Sequence, residues 1–146
     1  VTRGWLDAQT DPEGAAARAR ETTRVERLAV DAVLRVEYAL GHSPTEMHHN
    51  NPGYDIESDT GTGLDFIEVK GRVVGGKTFV LTRQEAVTAL NKAAHSVLAL
   101  VAVADDDATA VRYMRHPIDQ PIDPRAARVE FDWEPFWNDA TEMSQQ

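Results

Sequence analysis

The segment Gly53–Arg72 reads GYDIESDTGTGLDFIEVKGR and predicts two β-strands joined by a tight turn. Apolar and polar residues alternate over Tyr54–Ser58, which is typical of a strand with one buried face. A second run with strand composition covers Leu64–Gly71. The intervening Asp59–Gly63 is made of Asp, Thr and Gly, which favour a hairpin turn. The segment therefore predicts an antiparallel pair of strands.

This pair of strands brings together three charged side chains. Glu68 and Lys70 lie two residues apart on the second strand, so they project to the same face. The short hairpin places Asp55 of the first strand close to Glu68 on that face. The pair Glu68 and Lys70 interrupts an otherwise apolar strand, where charged groups either face a cleft or lower the stability of the fold.

The three charged groups suit metal-assisted hydrolysis of a phosphodiester. Two neighbouring carboxylates repel each other unless a positive charge lies between them, and Mg²⁺ prefers oxygen ligands of this kind. A lysine beside the metal can position the attacking water or stabilise negative charge that develops on the phosphate. The alternative is an ion-pair cluster on an exposed strand face, with a purely structural role.

A long helix is predicted before these strands, and a mixture of strands and one helix after them. Asp11-Pro12 starts the first helix as N-cap and first-turn proline, and apolar residues recur at helical spacing up to Leu40, before Gly41. The pattern allows one helix, or two with a break near Glu21–Thr23. The other predicted elements are a strand over Thr45–His49, a third meander strand over Lys77–Leu81, a helix over Arg83–Ala94 behind a capping box, a doubly buried strand over His95–Ala104 and a strand over Ala110–His116.

This order of elements predicts an α/β or α+β fold with a central sheet and helices on both sides. We expect residues 1–21 to form a lead-in and the start of the helix, and residues 22–117 to form the core. Residues 118–146 form an acidic, aromatic tail. Four aromatic side chains are expected to hold this tail against the core: Phe131, Trp133, Phe136 and Trp137.

Composition sets limits on the chemistry and the partners. The 146 residues include no cysteine, which excludes disulfides, thiolate zinc sites and cysteine nucleophiles. No apolar run reaches the ~18 residues of a membrane span and residues 1–10 lack a signal-peptide pattern, so we expect a cytoplasmic protein. The net charge of −9 argues against extensive phosphate binding, but residues 66–92 carry five basic and two acidic side chains. An anionic ligand could therefore bind at the centre of the chain.

Three motifs, taken in order, resemble a known family. They are Gly53-Tyr54-Asp55-Ile56, Phe66-Ile67-Glu68-Val69-Lys70-Gly71 and Phe79-Val80-Leu81-Thr82-Arg83-Gln84-Glu85. Together they resemble the domain named after the C-terminus of the plant protein NO VEIN, over about residues 22–116. That family is considered similar to the PD-(D/E)XK nucleases, whose core is restriction-endonuclease-like. In bacteria it is often fused to helicase-type proteins of restriction and phage defence.

The resemblance implies a DNA-cleaving nuclease that uses Mg²⁺ or Mn²⁺, and it implies roles for individual residues. Asp55, Glu68 and Val69 would be metal-ligand positions, and Lys70 the catalytic lysine. An acidic residue from the first helix would complete the site, with Glu26 the first candidate and Glu37 the second. The candidates for contact with substrate are Arg72, Arg83 and Gln84. Arg83 and Gln84 open a helix whose N-terminus favours a phosphate, and they could equally be solvated residues of its first turn. Tyr54 stands where the superfamily has a proline.

Several other residues, and the function itself, have a second interpretation. Glu85 fits both the family pattern and a capping box. His48-His49 suggests a metal site, but adjacent residues of a strand face opposite sides. Trp133 and Trp137 are expected in the core rather than under a DNA base. The competing function is an inactive module of the same fold that binds nucleic acid or docks a partner subunit. The expected partners are DNA and a helicase or ATPase. Cutting both strands of DNA would suit a homodimer.

Overall fold

The structure, a computed structural model, describes residues 11–73 and 75–146. The helices in these ranges are α1 (Pro12–Ala39), α2 (Arg83–Asn91) and α3 (Trp133–Asp139), with a short 3₁₀ turn at Ala93–His95. The strands are β1 (Ser43–Glu46), β2 (Ile56–Asp59), β3 (Leu64–Val73), β4 (Thr78–Thr82), β5 (Ser96–Ala104), β6 (Asp107–Arg115), β7 (Arg128–Asp132) and β8 (Thr141–Met143).

The main sheet is mixed and has six strands in the order β1-β2-β3-β5-β6-β8. β3 and β5 run parallel, and the other neighbouring strands are antiparallel. β5 lies inside the sheet, and its central residues are buried on both faces, as its continuous apolar sequence predicted. The predicted central sheet with helices on both sides is confirmed.

The first helix is continuous, so the alternative of a break near Glu21–Thr23 is wrong. The Asp11 carboxylate accepts a hydrogen bond from the Gly14 N–H at 3.1 Å, and Pro12 occupies the first helical turn. The helix ends before Gly41, whose φ of +79° is a conformation that glycine adopts without steric cost. The caps expected from the sequence therefore set both ends of α1.

The pairing of β4 differs from the predicted meander. Instead of joining β3, this strand leaves the main sheet and pairs antiparallel with β7 in a separate two-stranded sheet. Only alternate residues of β4 are buried, namely Phe79 and Leu81, so it suits a ribbon that covers another layer. The place beside β3 is taken by β5, because the uniformly apolar strand gains more from the interior of the sheet.

Two apolar cores lie on the two faces of the main sheet. The face under α1 packs Val25, Ala29, Ala32, Val33 and Val36 against odd-numbered residues of β3 and β5. On the other face, Leu98 and Leu100 of β5 meet Phe79, Leu81, Ala86 and Ile118. This division follows from the alternation of side chains along a strand.

The C-terminal segment is part of the fold as well as a cover for it. Its aromatic residues Phe131, Trp133, Phe136 and Trp137 pack against the second core, as expected. In addition, β8 extends the main sheet by pairing with β6. Among the helices that the structure describes, we find none with the length and apolarity of a membrane span.

Candidate active site

The segment around Asp55 forms one side of the candidate site. Asp55 immediately precedes β2, and its N–H donates to the Ile67 carbonyl at 2.9 Å, which extends the β2–β3 pairing by one residue. The Asp55 Oδ2 atom accepts from the Val69 N–H at 2.8 Å. The carboxylate therefore lies just before the start of β2. Beyond this point β3 continues, and its backbone is not paired with β2 there.

Glu68 and Lys70 project from the same face of β3, as predicted, and meet Glu85 from the first turn of α2. The Lys70 Nζ atom lies 3.4 Å from Glu68 Oε1 and 3.2 Å from Glu85 Oε1. These three side chains are 12–21% exposed. Asp55, Glu68 and Glu85 are called the carboxylate cluster below, and together with Lys70 they carry a formal charge of −2.

Glu85 has both of the roles that the sequence left open. Its Oε1 atom accepts from the Thr82 N–H at 2.9 Å, while Thr82 Oγ1 accepts from the Glu85 N–H at 3.1 Å, which completes the capping box. The same oxygen contacts Lys70. The sequence hinted at the contact between Glu85 and Lys70, because the capping box directly follows a strand. The contact itself depends on the path of β4, which the sequence did not reveal.

The electrostatics of the cluster favour protonation of Glu68 when no cation is bound. Burial raises the pKa of Glu68 well above its usual value, and the charge of Asp55 raises it further, against the opposing effect of Lys70. Burial also raises the pKa of Asp55, although the Val69 N–H and a hydrogen bond to Glu68 act in the other direction. Burial would raise the pKa of Glu85 too, but hydrogen bonds to Glu68 and other neighbours lower it overall.

Lys70 remains an ammonium ion in this setting. Burial would lower the pKa of Lys70, but the charges of Glu68 and Glu85 and their hydrogen bonds raise it above its usual value. The lysine therefore suits electrostatic stabilisation and positioning rather than proton abstraction.

A cavity of about 610 Å³ opens at the edge of β3 beyond the end of β2. It is lined by the N-terminal half of α1, the loop before β2, β3 and the first turn of α2. Its lining includes Asp55, Glu68, Lys70 and Glu85 together with Glu26, Arg72, His48 and His49. Glu26 is exposed on α1 and faces the same space as the cluster. The structure therefore places Glu26, the first candidate on the helix, at the site.

Arg72 lines the cavity as well, two residues beyond Lys70. Its guanidinium lies over the Trp133 ring, 5.8 Å from the ring centroid. Its Nε and Nη2 atoms are buried and have no hydrogen-bond partner among the described residues. Burial lowers the pKa of Arg72, but a guanidinium stays charged at neutral pH.

Three of the residues considered from the sequence lie elsewhere. The Arg83 guanidinium donates to the backbone carbonyls of Asp123 and Pro124, and neither Arg83 nor Gln84 lines the cavity. Glu37, the second choice on the helix, is buried toward the C-terminal end of α1. It accepts from the Tyr113 hydroxyl at 2.9 Å and lies 2.8 Å from His42 Nδ1.

The donor set fits a hard divalent cation. Glu68 Oε2 is buried and without a hydrogen-bond partner among the described residues, so one carboxylate oxygen is left for another ligand. The Val69 side chain packs in the core, but its backbone faces the same edge of β3 as that of Ile67, beyond the end of β2. In the described part of the chain no three His, Asp or Glu side chains are arranged to hold one metal ion. Mg²⁺ is commonly bound by one or two carboxylates and completes its shell with water, so two carboxylates and a carbonyl meet its requirements.

A family model described as the C-terminal domain of Protein NO VEIN matches residues 25–114, more than half of the chain. The chain belongs to this family. The matched part of this NO VEIN C-terminal domain runs from the middle of α1 to near the end of β6, and so includes Glu26, Asp55, Glu68 and Lys70. The family expected from the three motifs is therefore confirmed.

Among solved structures, the domain resembles that of Archaeoglobus fulgidus Hjc, a Holliday junction resolvase from an archaeal hyperthermophile. The TM-score is 0.52 at 18% sequence identity, and the match covers 84% of this chain and 91% of the resolvase chain. At this identity the likeness shows the fold alone, which is restriction-endonuclease-like, as expected. No curated protein sequence is significantly similar to the chain.

Proposed function

We propose that this NO VEIN C-terminal domain is a metal-dependent endonuclease that hydrolyses phosphodiester bonds of DNA. The observation that carries the proposal is the carboxylate cluster around Lys70 at the base of an open cavity. A buried cluster with a formal charge of −2 destabilises the fold unless protons or a cation neutralise it. A divalent cation held by these carboxylates would supply the counter-charge.

Asp55, Glu68 and the Val69 carbonyl are the groups that would hold Mg²⁺ or Mn²⁺. The ion supplies Lewis-acid activation of a phosphate oxygen and lowers the pKa of a bound water. Asp55 is oriented for this role by the Val69 N–H, and Glu68 offers the oxygen that no other group occupies. Glu85 does not need to bind the ion, because it holds Lys70 in place.

The remaining residues bind the substrate and stabilise charge. The Lys70 ammonium lies among the carboxylates and can stabilise negative charge that builds up on the scissile phosphate. Arg72 lines the same cavity and suits a contact with the DNA backbone. Glu26, on the opposite wall, can accept a hydrogen bond from the attacking water. Arg83 and Gln84 lie outside this arrangement, and contact between them and DNA stays a prediction.

The proposal extends to partners and context. The net charge of −9 disfavours tight DNA binding by the chain alone, so a helicase or ATPase in the same assembly would supply affinity and specificity. Restriction or phage defence is the setting that fits such an assembly, and a homodimer would allow both strands to be cut. Residues 22–117 would carry the chemistry, with residues 118–146 covering the second face of the sheet.

The experiment compares cleavage of plasmid and short duplex DNA by the wild-type domain and by Asp55→Ala, Glu68→Ala and Lys70→Met, with Mg²⁺ or Mn²⁺. We expect cleavage that depends on the metal and is lost in all three variants. Lys77→Ala and Asp119→Ala are matched controls, because both side chains are exposed and outside the cavity. Circular dichroism confirms that each variant is folded. Equal cleavage by wild type and variants would refute the assignment of the site.

The second candidate is an inactive module of the same fold that binds nucleic acid or docks a partner. Two observations favour it: the chain is acidic, and basic side chains that line the cavity pair with carboxylates. For example, the Arg27 guanidinium donates to the two Glu46 carboxylate oxygens at 2.8 and 2.9 Å. Calorimetry with Mn²⁺ on wild type and Asp55→Ala separates the two candidates. Binding that Asp55→Ala abolishes supports the nuclease. Absence of metal binding, with or without DNA, supports the inactive module.

A further inference from the structure

His48 and His49 share the cavity with the carboxylate cluster. The sequence predicted a strand here, with the two rings on opposite sides. In the structure β1 ends at Glu46, so both histidines lie in the loop that leads to Asp55. Their ring centroids are 4.3 Å apart and the rings are tilted by 33°. The loop thus presents two adjacent imidazoles to one space, which a strand would not do.

Hydrogen bonds within the loop hold His48 in position. At the start of the loop, the Met47 N–H donates to the Asp55 carbonyl at 2.8 Å, which closes the loop on itself. The Asn51 N–H donates to the His48 carbonyl at 2.8 Å, and the Asn50 N–H donates to His48 Nδ1 at 3.3 Å. Since Nδ1 accepts a hydrogen bond, neutral His48 carries its proton on Nε2 and can donate it.

Besides Arg72, which has two guanidinium nitrogens without a hydrogen-bond partner among the described residues, the histidines are the cavity-wall groups available to bind an additional anion. Lys70 is engaged by Glu68 and Glu85, and Arg27 by Glu46 and Asp31. Both imidazole side chains, by contrast, are exposed and form no ion pair with the described residues. A neutral imidazole donates one N–H and a protonated one donates two, so the pair offers at least two donors at one place.

We propose that His48 and His49 bind a phosphate of the DNA strand adjacent to the scissile phosphate. The inference rests on the proposed function, because it assumes that the strand enters this cavity and reacts at the carboxylate cluster. The loop begins beside the histidines and ends at Asp55, so a strand held by the imidazoles is positioned by the same segment that orients Asp55. The histidines act as positioning residues and take no part in bond cleavage.

Fluorescence anisotropy with short fluorescein-labelled DNA, single-stranded and duplex, tests this proposal. Ca²⁺ replaces Mg²⁺ so that binding is measured apart from turnover. We expect His48→Ala/His49→Ala to bind roughly 10-fold more weakly than wild type, the effect of losing two hydrogen bonds to a charged phosphate. His48→Asn/His49→Asn keeps N–H donors and should recover part of the affinity. His95→Ala is the matched control, because His95 is exposed and outside the cavity.

In cleavage assays, the alanine variant should raise KM more than it lowers kcat, since it removes binding rather than chemistry. Weaker DNA binding by the variant supports the inference, whether or not the wild-type protein cleaves DNA. Absence of cleavage by the wild-type protein would overturn the nuclease proposal instead. Equal DNA affinity of the variant and wild type overturns the inference and leaves the nuclease proposal standing. Failure of wild type to bind either DNA probe, at low ionic strength and high protein concentration, overturns it as well.

Discussion

Replacement of Gly71 by alanine tests the close contact between α1 and β3 that forms one wall of the cavity. A Cβ atom at this position would lie 2.9 Å from the Ala29 Cβ and 3.1 Å from Val25 Cγ1. It would also lie 3.3 Å from the Val25 carbonyl oxygen. The Ala29 methyl and a backbone carbonyl cannot rotate away, so the helix itself has to move. A glycine inside a strand is often required by such a close approach.

The expected cost follows from two opposing effects. Overpacking a well-filled contact costs about 1–3 kcal/mol. Alanine recovers about 0.4–1 kcal/mol by restricting the unfolded chain. From the middle of each range, the net loss of unfolding free energy should be about 1.3 kcal/mol, and the melting temperature should fall by roughly 3–5 °C for a domain of this size. Cleavage should fall as well, because the helix carries Glu26, which lines the cavity.

Thermal and urea unfolding, monitored by circular dichroism, measure this cost. Gly63→Ala is the matched control, because the nearest atom to its added Cβ would be His95 Cε1 at 3.7 Å and its backbone needs no special conformation. We expect Gly63→Ala to be neutral or slightly stabilising. If Gly71→Ala unfolds at the same temperature as Gly63→Ala, the tight helix–strand contact does not exist and the reasoning fails.

Two further predictions concern buried acidic groups. Because the folded-state pKa of Glu68 is raised above its unfolded value of about 4.5, the metal-free protein should lose stability as pH rises from that value toward the folded pKa. Glu68→Gln should reduce this loss of stability and also the rise in melting temperature on adding Mg²⁺. Glu142→Gln, at an exposed side chain, should change neither. An unchanged dependence of stability on pH in Glu68→Gln would contradict the raised pKa of Glu68. Tyr113→Phe removes the hydroxyl that donates to buried Glu37, and should cost about 1–3 kcal/mol in urea unfolding. Tyr38→Phe, at a side chain that is 64% exposed, should stay within about 0.5 kcal/mol of wild type, and equal values for the two variants would show that the buried hydrogen bond is dispensable.

The sequence was most informative where a local pattern has one physical solution. Alternation along Leu64–Gly71 placed Glu68 and Lys70 on one face of a strand. The caps at Asp11 and Gly41 set the ends of α1. The Thr82–Glu85 capping box set the start of α2. Each of these depends on residues close in the chain, so no tertiary information was needed.

Predictions that required knowledge of distant partners were less accurate. β4 has the composition of a meander strand, yet it pairs with β7, some 50 residues later in the chain. The sequence predicts a strand over Thr45–His49, because nothing local shows that β1 ends at Glu46. The hydrogen bonds from the Arg83 guanidinium to the carbonyls of Asp123 and Pro124 also depend on a distant segment, and contact between Arg83 and substrate stays a prediction.

The amino-acid sequence by itself determined the family, through its three motifs, and the mixed fold, through the order of its elements. It also determined the convergence of Asp55, Glu68 and Lys70, because hairpin geometry and side-chain alternation are local. Only the tertiary structure decided that Glu26 rather than Glu37 lines the cavity. Both residues lie on nearly the same side of α1, so what differs is where along the helix each one meets the sheet. The tertiary structure also decided that Glu85 joins Lys70 and that two histidines share the wall. Those contacts link segments whose separation in space depends on how the layers pack.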